Sequence, residues 1–95
     1  MKITLSKNVE AKLSEIGILK QDIEEALYYL DESPIEDERS EHRTIPSTVW
    51  FVSTTSDERP LFVAGIWDEE NETFTVRTSR DASDKDFERW ENGKW

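Results

Sequence analysis

Arg77 and Arg80 stand three residues apart, just ahead of an Ala82-Ser83 step that can start a helix. Two guanidinium groups at the end of a strand, beside the free N–H groups of a helix start, could clamp a phosphate. The alternative is a pair of surface arginines held by Asp81, Asp84 or Glu88. His42 is the single histidine, so it is the only side chain whose ordinary pKa suits a general base at neutral pH. It sits with Asp37, Glu38 and Glu41 in an acidic stretch that lacks the ligand spacing of a zinc site, so no metal is expected there. No Gly-x-Ser-x-Gly elbow is present, and the glycines at 17, 65 and 93 are isolated, which leaves no phosphate-cradling loop and no expected cofactor. A different chemistry is offered by the carboxylates between Asp22 and Glu41. Asp22, Glu24, Glu25, Asp31 and Glu32 could imitate the phosphate spacing of nucleic acid and occupy a basic cleft on another protein. Against that stands the ordinary fate of a charge run, a solvated helix face.

The elements that would position these groups can be read from periodicity. Residues 2 to 5 are short and β-prone. Ser6 is an acceptable N-cap for a helix whose Val9, Leu13 and Ile16 fall on one face and which Gly17 ends. Ile23, Ala26, Leu27 and Leu30 form the apolar stripe of a second helix, broken by Ser33-Pro34. From Ile35 to Arg43 only one residue in nine is apolar, which reads as an exposed acidic loop. Three strands follow, over 49–54, 61–67 and 73–78, joined by the polar turns Ser56–Arg59 and Asp68–Asn71 as an antiparallel meander. Ser83 with Asp86 resembles a capping box, and Phe87 and Trp90 are spaced to dock a last helix on the sheet. The expected fold class is α+β, a small antiparallel sheet of three to four strands with helices packed on one face, in the order β-α-α-β-β-β-α. Trp50 and Trp67 are expected to be buried, and Trp90 and the terminal Trp95 to be fixed by packing.

Composition narrows the function classes. Ninety-five residues with 35% apolar content make a single domain over 1–95 with one modest core. The formal net charge is −10, from 12 basic and 22 acidic residues, which disfavours a general nucleic-acid-binding surface unless positive charge is gathered locally. A cut at residue 47 leaves six basic and eleven acidic residues on each side, so the charge reads as spread along the chain. The absence of cysteine excludes disulfides, thiolate zinc sites and Cys nucleophiles, and suits a reducing compartment. With no apolar leader and no membrane-length apolar run, a cytoplasmic protein without a membrane partner is expected.

Two segments resemble a known type of small protein. Ile3 to Leu27, ITLSKNVEAKLSEIGILKQDIEEAL, is similar to the opening of BrnT-like and DUF4258-like proteins, in which a strand leads to a helix bearing His and Arg, a Gly-Ile turn and an acidic helix. Thr75 to Glu91, TVRTSRDASDKDFERWE, is similar to the BrnT ending, where a last strand runs into Ser-Ala-Arg and a charged helix with a terminal aromatic. The resemblance implies a RelE/ParE-like ribonuclease fold and, for BrnT itself, the toxin role in a type II toxin–antitoxin pair. Under it the helix-1 His falls at Asn8, the following Arg at Lys12 and the Arg before the glycine at Ile16, while the later Arg matches Arg80 and the terminal aromatic Trp90.

Two functional expectations result. In the first, the chain is a BrnT-like, metal-independent endoribonuclease or an attenuated relative. Arg80 and Arg77 would neutralise the phosphorane with help from Lys12, and His42 would be the one candidate base; RNA is then the substrate and an antitoxin the partner. In the second, the chain is a non-catalytic acidic binder, such as a phage or plasmid inhibitor, whose carboxylates at Asp22, Glu24, Glu25, Asp31 and Glu32 meet a basic nucleic-acid-binding protein.

Overall fold

The computed structural model describes residues 2–36 and 48–93. The order is β1 (Lys2–Thr4), α1 (Lys7–Glu15), α2 (Lys20–Tyr28), β2 (Ile35–Glu36), β3 (Thr48–Thr54), β4 (Pro60–Asp68), β5 (Thr73–Asp81) and α3 (Asp84–Asn92). These form a five-stranded sheet in the spatial order β1-β5-β4-β3-β2, so the fold is α+β. The β3-β4-β5 meander is antiparallel as its polar turns predict, and the apolar β4 takes the centre, where a strand is covered on both faces.

Three features differ from the sequence expectation. The sheet is mixed rather than antiparallel throughout, because β1 pairs parallel to β5, with Ile3 opposite Phe74. The α1–α2 hairpin carries the chain across the sheet from β1 at one edge to β2 at the other. Ile35 and Glu36, read from composition as loop, form a short edge strand on Trp50 and Val49. Ile35, the single apolar residue of that stretch, packs against the Trp50 side of the sheet.

The helices also occupy both faces. Strand side chains alternate, so Val49 and Phe51 point one way and Trp50 and Val52 the other. Leu13 of α1, Ile23 and Ala26 of α2 and Ile18 between them bury against Val49, Phe51, Leu61, Val63, Phe74 and Val76. On the opposite face Phe87 and Trp90 of α3 cover Trp50, Val52 and Phe62. Trp90 meets Trp50 edge-on at 5.6 Å, and Trp50 stacks on Phe62 at 6.0 Å. The third helix lands on this far face because its chain leaves β5 at the end where Trp50, Val52 and Phe62 still need an apolar cover.

Helix boundaries follow local chemistry. Ser6 caps α1 by accepting from the Val9 N–H, and Ser83 caps α3 by accepting from Asp86 N–H. Ile16 was placed on the core face by its spacing, yet it is 50% exposed. The helix ends at Glu15, and Ile16 leaves helical geometry before the left-handed Gly17, so the spacing no longer carries it inward. Among the described residues no helix is long and apolar enough to cross a membrane.

Candidate functional site

Strand β5 runs three residues beyond its sequence-predicted end, and this changes what Arg80 can do. Ala64 pairs with Thr78 and Gly65 with Val76, so Arg77 is the extra residue of a β-bulge. Beyond the bulge the ladder resumes: Val63 meets Ser79, whose hydroxyl donates to the Phe62 carbonyl at 2.8 Å, and Phe62 meets Arg80. The Arg80 guanidinium lies 4.0 Å above the Phe62 ring, and its Nη2 donates to Asp86 Oδ1 at 2.7 Å. Asp86 is only 1% exposed, and its other oxygen accepts from the Ser83 N–H at 2.9 Å. Burial pushes the Asp86 carboxyl up, but the Arg80 and Ser83 hydrogen bonds, with the attraction of Arg80, outweigh it and hold the group below the usual aspartate value. Arg80 is thus the counter-ion of a buried carboxylate and the lid of an aromatic ring. Arg77 is exposed and makes no ion pair among the described residues.

The other residues of the ribonuclease expectation lie elsewhere. Lys12 is exposed on α1, which packs on the Phe51 face of the sheet, whereas Arg80 lies over Phe62 on the opposite face. The sheet separates the two. His42, with Asp37, Glu38 and Glu41, is outside the described residues, as is Trp95.

The carboxylates of α2 divide into structural and exposed groups. Asp22 accepts the Leu19 N–H at 2.9 Å and so caps its own helix. Glu25 accepts from the Ser56 hydroxyl at 2.6 Å and the Ser56 N–H at 3.0 Å, which lowers its pKa and ties α2 to the β3–β4 turn. Glu24, Asp31 and Glu32 are exposed and form no ion pair among the described residues. Beside them Tyr28 and Tyr29 are 82% and 51% exposed and meet edge to face at 5.2 Å.

Past the last turn of α2 the chain borders a cleft of about 530 Å³. Its floor is apolar, made by Leu27, Leu30, Val49, Trp67 and Phe74, and Asp31 and Glu32 stand on its rim with Ser33 and Pro34. Trp67 and Phe74 are cross-strand neighbours, so the β4–β5 turn of Asp68, Glu69, Glu70, Asn71 and Glu72 rises from the same end of the sheet. Asp68 accepts from the Asn71 side chain at 2.6 Å, which shapes that turn and lowers the Asp68 pKa.

These two stretches hold nearly all of the net charge. Residues 20–36 contain six carboxylates against Lys20 alone, and 68–72 contain four carboxylates and no base. The remainder of the chain is almost balanced, with eleven basic and twelve acidic residues. Of these groups Asp31 and Glu32 line the cleft and the 68–72 turn follows Trp67 of its floor, whereas Asp22 and Glu25 lie toward the β3–β4 turn at the other end of the sheet.

Two features of the structure escape a reading of the sequence. One is the cleft, although the abrupt step from apolar Trp67 to Asp68-Glu69-Glu70 marks its far wall. The other is Arg59, placed within a turn. It grips Asp81 through Nε at 2.6 Å and Nη2 at 3.2 Å, and donates to the Gly17 and Ile16 carbonyls at 2.6 and 3.2 Å. It closes the C-terminal end of α1 and locks the end of β5 to it.

Comparison with protein-family models, with curated proteins and with solved structures returns no match.

Proposed function

We propose that this chain is a non-catalytic acidic binding protein, an attenuated relative of the small-toxin type its sequence resembles, which occupies a positively charged nucleic-acid-binding surface on a partner protein. The observation that carries this reading is the gathering of nearly all the net charge in 20–36 and 68–72, with Asp31 and Glu32 on the rim of an apolar cleft and the 68–72 turn following Trp67 of its floor, while the rest of the chain is nearly neutral. A negative field steers a basic partner and repels nucleic acid. The pairing of Arg80 with Asp86 supports the same reading, because a guanidinium engaged by a buried carboxylate is poorly placed to neutralise a phosphorane.

The test is affinity capture from cell extract with the wild-type chain and with a Glu24→Lys, Asp31→Lys, Glu32→Lys variant, in low and raised salt, with single-stranded RNA as competitor. A basic nucleic-acid-binding protein retained by the wild type, lost by the variant, released by salt and displaced by RNA is the expected result. Equal capture by both chains refutes it. So does cleavage of the added RNA that disappears in an Arg77→Ala chain, which would establish the ribonuclease instead.

A further inference from the structure

Carboxylates alone would make a featureless acidic surface, but here they surround an apolar floor. Leu27, Leu30 and Trp67 are only half-buried where the cleft opens, and the fully buried Phe74 lies beneath them. A single aliphatic or aromatic side chain fits a cavity of about 530 Å³ and would gain by leaving water there. The rim selects what accompanies it. Asp31 and Glu32 stand on the α2 side, and the four carboxylates of the β4–β5 turn stand beyond Trp67. A segment carrying acidic residues next to its apolar anchor would meet like charge at Asp31 and Glu32, and a neutral one would leave that rim unused.

We propose that this cleft is a docking groove for a segment of the partner protein in which one or two apolar side chains are flanked by lysine or arginine. The inference rests on the acidic-binder reading and adds the anchor that gives it specificity. The basic residues pair with Asp31, Glu32 and the β4–β5 turn, while the apolar side chain fills the floor between Leu30 and Trp67.

The experiment uses the full chain and three fluorescein-labelled peptides of equal length: Lys-Arg-Leu-Leu-Lys-Arg between glycine-serine flanks, the same peptide with both leucines changed to serine, and the same peptide with all four basic residues changed to glutamate. Binding is followed by anisotropy, and the Trp67 indole N–H resonance, assigned with Trp67→Phe, reports on the floor. The leucine peptide is expected to bind and shift that resonance. The serine peptide should bind at least tenfold more weakly, as the loss of a buried leucine implies, and the glutamate peptide should not bind. An Asp31→Lys, Glu32→Lys chain should lose about tenfold for the leucine peptide. Leu30→Arg should lose it as well, and the exposed double variant keeps the test valid if Leu30→Arg does not fold.

Equal binding of the serine and leucine peptides, with the Trp67 resonance unmoved, overturns the groove and leaves the acidic-binder reading standing. Failure of both basic peptides to bind overturns both. A Trp67 shift that follows protein concentration in the absence of peptide assigns the groove to a second copy of this chain and overturns the proposal.

Discussion

At the scale of single residues the most consequential side chain is Asp86, a carboxylate that is 1% exposed and held by Arg80, the Ser83 N–H and the start of α3. Removal of Arg80 leaves that carboxylate with the Ser83 contact alone. Arg80 is itself half-exposed, so the loss should fall below that of a fully buried pair, at about 2 kcal/mol in Arg80→Ala, measured by urea unfolding. Arg77→Ala, at a residue that makes no ion pair among the described residues, should be close to neutral in the same measurement. This contrast makes Arg77, and not Arg80, the residue for any ribonuclease control. Acid should act on the same contacts. The folded-state pKa values of Asp86 and Asp81 lie below the ordinary aspartate value of 3.8. Their stabilisation is therefore complete above that value and is lost as pH falls through the depressed folded values. Unfolding midpoints at pH 7 and pH 3 should show this loss, and Asp86→Asn should reduce the dependence. The arginines at 77 and 80 were visible in the sequence as a pair. Their separate fates were not, because the bulge at Arg77 decides which side chain returns to the Phe62 ring, and a bulge is a property of two strands together.

At the scale of elements, local signals account for most of the helices. Ser6 and Ser83 are N-caps with side-chain hydrogen bonds, and the stripe of Ile23, Ala26, Leu27 and Leu30 packs on the core. Ser83→Ala should cost about 1 kcal/mol. Where the sequence reading departs from the structure, the cause is partner geometry. The strand at Ile35–Glu36 exists because Val49 and Trp50 offer an open edge, and β1 pairs in parallel on the other open edge of the meander, β5. Gly65 belongs to this level. A Cβ there would sit on the Thr75 carbonyl oxygen and press on the Phe74 ring, so no side chain fits where β4 crosses the bulge of β5. Gly65→Ala should destabilise by about 3 kcal/mol. Calorimetry should then show a large drop in Tm, and one below a few degrees would contradict the close approach.

At the scale of the whole molecule the sheet sorts chemistry onto two faces. One carries α3 with the Arg80–Asp86 pair; the other carries the α1–α2 hairpin, the cleft and the acidic rim. If the acidic end is the binding surface, partner affinity should fall steeply between 50 and 300 mM salt, by roughly tenfold or more, since exposed charges are screened over about 8 Å at physiological ionic strength. A flat salt response in a titration with the captured partner would contradict it. The sequence by itself determined the α+β class, the strands of the meander, both serine caps and the net charge of −10, because each depends on near neighbours or on composition alone. Only the tertiary structure decided which charges act together. The carboxylates of 20–36 and 68–72 lie in different halves of the chain, where a count by halves finds eleven acidic residues on each side. Strand pairing sets Trp67 beside Phe74, and α2 packs over Val49, so Asp31 and Glu32 after α2 stand on the rim of a floor that Trp67, just ahead of the 68–72 turn, helps to make. Pairing and packing are long-range, and no local pattern of residues encodes the distance between them.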